Sequence, residues 1–553
     1  MIRKPKNKSL SVDQPLLHEN HKRPVTRREF LGAGLIAGSA TVLVPSFLSL
    51  MATSEVQAAS PSICGTTVRG AGKIPFICFD LGGGANMTGS HVLVGGTGGQ
   101  LDPLSTAGYN KLGLPDAMIP GQVDPLGGNF INSEFGLAMH SDSAFLRGML
   151  SRTSLAARAL CNGAVIPNRS DNDTGNNPHN PMYLIAKAGA GGVGARGDLM
   201  SLIGTRASDS GGRSLSGDFL IDTEIRPTKI DRPSDATGLV DTGGIVDQLG
   251  LSQKEVKAIM ETMGHISGDK INNQSVINDQ KLKDLLHCGY IKASYLVSTY
   301  GPDTFDPLAS DITGGTPRAA AITNLTPRDQ ITPLDASNPI ITASEINGNG
   351  TLRKTASVMK MVIPGSAGAG TIELGGYDYH NGTRATGEKR DFAAGEAMGA
   401  CIEYAHRTGK PLMLYVFTDG SLASNGNIDN SPDGRGKGEW SGDNSSTSAS
   451  YFIVYDPVAK PILKQDAIAA ERHQQLGYMR SSGSVETNGT TPGANNVNLL
   501  AQMVALNYMA LHGEQAAMAS TFWNGHGLGD ASNFDSLIAF EKIGSIGSGG
   551  IMT

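Results

Sequence analysis

Asp378 and His380 stand one residue apart in the stretch TIELGGYDYHNGT, and Asp419 follows the apolar run of KPLMLYVFTDG further along the chain. A carboxylate and an imidazole at this separation offer oxygen and nitrogen donors to one divalent cation, and an acid at the end of a neighbouring strand adds a third. Asp80, closing the earlier apolar stretch KIPFICFD, is a further carboxylate of this kind, or else a capped loop aspartate. His179 sits in the polar, turn-rich segment DNDTGNNPHNP just ahead of an apolar helical stretch from Met182 to Ala188. It is either structural or a ligand or general acid. Carboxylates with one or two imidazoles suit Zn, Mn, Mg or Ca and do not choose among them.

The elements that must bring these residues together follow from periodicity. Thr371 to Leu374 is a short β-branched and apolar run closed by Gly375 and Gly376. From Arg390 to Arg407 the apolar residues Phe392, Met398, Ile402 and Ala405 recur at helical spacing, and Gly409 with Pro411 ends the helix. Leu412 to Phe417 is uninterrupted and apolar, the mark of a strand buried on both faces of a parallel sheet. A strand, helix, strand crossover puts both following loops at one edge, where open α/β sheets bind ligands. Asp378, His380 and Asp419 are therefore expected in one cleft.

Elsewhere the pattern is thinner. Lys73 to Phe79 predicts a first strand, followed by the turn DLGGGAN, whose glycines permit close backbone approach. It is not a GxGxxG opening a helix, which speaks against a dinucleotide. Phe135 to Leu150 carries His140 and a short amphipathic helix, and Arg158 to Val165 fits either a helix or a strand. Residues 190–350 read as an inserted helical cap with long loops, its clearest helical region running from Ser252 to Tyr300. After Asp419 the polar stretch through Glu439, Trp440 and Asp443 looks like a loop. Tyr451 to Tyr455 predicts a strand, Val497 to His512 a helix, and His526 falls in a late loop.

Composition bounds the rest. A hydrophobic fraction of 39% suffices for a core across 553 residues, read as one large α/β domain over 59–553. A net charge of -6 with no basic run after the first segment argues against nucleic acid as a partner. The five cysteines are scattered and form no CxxC, so neither a disulfide framework nor a thiolate zinc site is indicated. Residues 1–58 are expected to be a targeting segment: Thr26-Arg27-Arg28-Glu29-Phe30-Leu31 resembles the twin-arginine export motif, and Val56-Gln57-Ala58 suits cleavage. That expectation makes the twin-arginine translocase a partner during export and places the protein in the periplasm or outside the cell. An oxidoreductase with an organic cofactor would also use this route, but no nucleotide or haem signature is present.

Taken in order, these landmarks resemble a bacterial domain of unknown function, number fifteen-oh-one, a branch of the alkaline phosphatase and sulfatase superfamily. They are FDLGGGAN, GLAMHS with His140, NRS with PHNPMYLIAKAG (Arg169, Ser170, His179), GGYDYH and VFTDG. The resemblance implies an alkaline-phosphatase-like, doubly wound, mostly parallel sheet with helices on both faces. It also implies metal-dependent hydrolysis of sulfate or phosphate esters of small molecules or polysaccharides, with Asp378, His380 and Asp419 as ligands. Thr88 and Ser90 are hydroxyls near the first strand, where an in-line nucleophile would stand, though ordinary turn residues explain them equally. The chain departs from the family at two points. Asn86 replaces an acid in the glycine turn, and KGEWSGDN replaces a Thr-Asp-His-Gly piece, leaving Glu439, Asp443 or His526 as substitutes. Those departures motivate a second expectation, a catalytically degenerate binding or assembly protein of the cell envelope.

Overall fold

The computed structural model describes residues 72–551, apart from 126, 171–178, 191–193, 196, 198–199, 206–226, 240–252, 274–301, 309–330, 332–337, 383, 490, 524 and 549. The targeting segment expected over residues 1–58 and most of the helical region expected beyond residue 273 lie outside the described residues. Among the described residues, seven strands build one central sheet: β1 (Phe76–Gly82), β2 (Cys161–Pro167), β3 (Met200–Gly204), β4 (Thr228–Lys229), β5 (Ala367–Gly375), β6 (Leu412–Phe417) and β9 (Ala449–Tyr455). A separate antiparallel hairpin, β7 (Leu422–Asp429) with β8 (Lys437–Asp443), follows β6. The sheet order is β2-β9-β6-β1-β5-β3-β4. All neighbours from β6 to β4 pair in parallel, while β9 runs antiparallel to both β6 and β2.

The strands β1 and β6 are buried on both faces, as their largely apolar sequences require. In β1, Ile77, Phe79 and Leu81 join one core and Phe76 and Cys78 the other. In β6, Leu412, Leu414 and Val416 divide in the same way from Met413, Tyr415 and Phe417. The first core is covered by α1 (Ala144–Arg152), α2 (Gly350–Val362) and α3 (Arg384–Thr408), and the second chiefly by α4 (Val497–Leu511). Each buried Val, Leu, Ile or Phe contributes roughly 1.5–3 kcal/mol, so these two layers hold the fold and leave the strand-end loops to carry chemistry.

Capping fixes where the helices start. Ser143 Oγ accepts from Leu146 N, and Asn349 and Asn496 cap α2 and α4 through their amide oxygens. The helices α1 and α3 meet backbone to backbone, because a Cβ on Gly395 would lie 2.0 Å from the Phe145 carbonyl oxygen.

Several expectations change. The helix expected from Arg390 begins at Arg384. Arg158 to Val165 is divided: Leu155–Ala159 is a short helix and β2 follows. His140 belongs to the two-residue strand Met139–His140, ahead of α1 and not on it. Residues 190–350 do more than cap the domain, since β3 and β4 extend the sheet itself. The polar stretch after Asp419 is the β7–β8 hairpin.

Candidate metal centre

The three strands that matter lie side by side. Leu81 pairs with Leu374 and Gly82 with Gly375 across β1 and β5, while Asp80 pairs with Phe417 across β1 and β6. Their carboxyl ends therefore reach the same edge. Beyond them, Tyr377 N donates to Gly82 O at 3.0 Å, and Gly83 N donates to Asp419 Oδ1 at 2.9 Å. Thr418 Oγ1 donates to Leu81 O and accepts from Ala85 N, tying the end of β6 to the glycine turn. Gly83 has φ of +115°, and a Cβ there would sit 2.7 Å from Asp378 N. A side chain there would collide with Asp378, while the Gly83 amide bonds Asp419, so the glycine turn touches both acids.

The GGYDYH stretch alternates. Tyr377 and Tyr379 turn inward and are buried, while Asp378 and His380 face out. Tyr377 OH donates to Arg390 O at 2.9 Å and Tyr379 OH to Asp391 Oδ1 at 3.3 Å, which staples the loop to α3. His380 Nε2 lies 2.9 Å from Asp378 Oδ1 and 3.9 Å from Asp443 Oδ1. The donor atoms of Asp378, His380 and Asp443 all fall within 4.8 Å of one another, and among the described residues they form the one such group. Donors around a divalent ion stand roughly 2–2.5 Å from it, so neighbouring donors a few ångströms apart match such an ion. One imidazole and two carboxylates fit Zn, Mn or Mg, with open positions for water or substrate.

Asp443 arrives through the register of the hairpin. It pairs with Leu422, which begins β7 just after Asp419, so the last residue of β8 returns to the rim where β6 ends. The hairpin is fastened by buried groups. Trp440 is fully buried, and the Arg384 guanidinium lies 4.6 Å from its ring centroid. Arg384 and Lys437 both bond Glu388, and Lys437 also reaches the Asp142 carbonyl. Burial alone would raise the Glu388 carboxyl, yet the Arg384 and Lys437 charges hold it below the usual range. His140 nearby is pushed down to about 4 by burial and by Lys437, and one ring nitrogen bonds Met118 O. It is a neutral structural histidine.

The other residues singled out from the sequence stand elsewhere. Asp80 is buried in β1, and with Asp419, Glu439 and His526 it lies outside the close group. His179 is fully buried with its ring stacked parallel to Phe417, and burial pushes its pKa down to about 3. A ring so sealed does not act as a general acid at the rim near neutral pH, which corrects that expectation. Thr88 is likewise fully buried, and its hydroxyl donates to Thr447 O at 2.7 Å. It is not presented as a nucleophile, and Ser90 is also buried. Sequence reasoning missed the tyrosine staple, although the two-residue alternation of GGYDYH carries its signal. It also missed the Arg384–Trp440 contact, for which a lone tryptophan in a polar stretch was the only sign.

No family model, no curated protein and no solved structure matches this chain.

Proposed function

We propose that the chain is an exported protein built like the alkaline phosphatase and sulfatase superfamily, acting as a metal-dependent hydrolase of sulfate or phosphate esters. The observation that carries this reading is the group Asp378, His380 and Asp443 at the carboxyl edge of a mostly parallel sheet. A divalent ion held there supplies Lewis acidity towards a phosphoryl or sulfuryl oxygen. The chain's own residues do the holding: Asp378 and His380 from the stapled loop, Asp443 from the hairpin. Asp419 orients the Gly83 amide beside them. The motif Thr26 to Leu31 supports export through the twin-arginine translocase to the periplasm or beyond.

A second reading has its own observation. Asn86, where the family has an acid, is fully buried and gives its amide to Leu422 O at 2.8 Å. With Thr88 sealed as well, the glycine turn presents neither a carboxylate nor a hydroxyl, which favours a cell-envelope binding or assembly protein that holds metal without turnover.

Purified full-length protein loaded with Mn or Zn, offered a panel of aryl sulfates and aryl phosphates, separates the two. The hydrolase reading expects turnover that Asp378→Ala and His380→Ala reduce about a hundredfold or more, since losing even a group that orients a ligand costs roughly 10–100-fold. Metal binding without turnover of any ester supports the second reading. Turnover indifferent to both substitutions contradicts the site.

A further inference from the structure

The ligands of the proposed centre reach it on two arms, the loop after β5 and the end of β8. Their separation must be set by whatever spans the two. Arg384 is one side chain that does. Arg384 opens α3 four residues after His380, is 1% exposed, and bonds Glu388 Oε1 through Nε and Nη2 at 3.0 and 2.8 Å. The same guanidinium lies against the Trp440 ring, and Nη1 reaches Gly438 O at 3.4 Å. Both Gly438 and Trp440 belong to β8. Trp440 O in turn accepts from Gly382 N at 2.8 Å, so contacts run in both directions between the arms. Gly387 leaves the ring its place, since a Cβ there would lie 3.1 Å from Trp440 Nε1 and 2.7 Å from the Tyr379 ring.

We propose that Arg384 is a positioning residue that sets Asp443 against the Asp378–His380 pair, and through that gap sets the affinity of the site for a divalent ion. This rests on the metal reading above and deepens it. Sliding β8 along α3 would take the Trp440 ring from under the Arg384 guanidinium and pull Lys437 away from buried Glu388, so the hairpin end is held in one register. Lysine cannot replace this function. It brings a point charge to Glu388 but has neither the fork that reaches Gly438 nor the plane that lies on Trp440.

The test is a double-mutant cycle on the full chain, with the dissociation constant for Mn2+ read by titration calorimetry and the metal-free melting temperature read alongside. Arg384→Lys should weaken Mn2+ binding roughly 10–100-fold, as loss of a group that orients a ligand does. Asp443→Asn should weaken it at least as much. Added to Asp443→Asn, the Arg384→Lys change should cost no more than about a further twofold, because its effect passes through Asp443. A purely structural arginine would lower the melting temperature and leave the cycle additive. Equal losses in both backgrounds, or unchanged affinity in Arg384→Lys, overturn the positioning role while the metal reading stands. If Arg384→Lys does not fold, Trp440→Phe enters the same cycle with the same expected outcomes. Wild-type protein that takes up no Mn2+ overturns the metal reading and this inference together.

Discussion

Two histidine–aspartate pairs in this chain have nearly the same contact distance and opposite fates. His380 Nε2 lies 2.9 Å from Asp378, with the two side chains 29% and 58% exposed, while His91 Nε2 lies 3.1 Å from Asp391, at 0% and 2%. His91 pairs its other ring nitrogen with Tyr451 OH, stacks on Phe145, and shares Asp391 with Tyr379. Every polar atom of that ring is committed inside the protein. The outer pair has a third donor, Asp443, and an open side. Donor chemistry is therefore common to both, and access to solution is what separates a candidate binding site from a brace. The brace serves the site: Asp391 anchors Tyr379, and Tyr379 sits between Asp378 and His380 in the loop.

The comparison breaks most visibly on stability. Asp391→Ala strands His91 and Tyr379 without water to replace their partner, and each buried group left unsatisfied costs about 1–3 kcal/mol. Chemical denaturation should show a loss of about 3 kcal/mol or more. Asp378→Ala, at an exposed position, should stay within about 0.5 kcal/mol. Similar losses for both would erase the distinction drawn between the pairs.

Acid sharpens the same contrast through other sealed imidazoles. Burial lowers His140 to about 4 and His179 to about 3, whereas an unfolded histidine titrates near its ordinary 6.5. Between these values the unfolded chain binds more protons than the folded one, so stability falls as pH drops from about 6.5 towards 4. Each such histidine contributes on the order of 1.4 kcal/mol per pH unit across its window. Unfolding measured at pH 7 and pH 5 should show the decline, and His140→Gln should lessen it while the His179 contribution remains. A profile independent of pH in this range would contradict the burial assigned to these rings.

A small effect is expected on the outside of the hairpin. Lys389 and Asp433 pair at 2.8 Å but are 67% and 53% exposed. Lys389→Ala should change stability by less than about 1 kcal/mol, in contrast to buried Lys437 a short distance away, whose removal leaves Glu388 poorly compensated. A large effect at Lys389 would mean that the hairpin is held from its surface, not from beneath.

How far the sequence shows this arrangement depends on which force decides each piece. The strands β1 and β6 are legible because burial on both faces imposes apolar runs, while β5 is legible only from Thr371 to Leu374, since its first residues, Ala367 to Gly370, are small and carry no strand signal. The hairpin is not legible. Leu422–Asp429 and Lys437–Asp443 are rich in Ser, Asn, Gly and Asp, residues of low strand propensity, and their pairing is imposed by Trp440, Lys437 and Arg384 packing beneath. His179 misleads for a related reason. A histidine in a polar turn reads as accessible, and only the tertiary structure shows that the chain folds it against Phe417. Asp443 carries the same lesson in reverse, since its approach to His380 is a matter of hairpin register that local sequence does not display.

The most direct measurement is the divalent metal content of purified wild-type protein, beside Asp378→Ala and His380→Ala prepared identically. About one ion per wild-type chain, lost in both variants, is the expected result. Wild-type protein carrying no more metal than the variants would contradict the site.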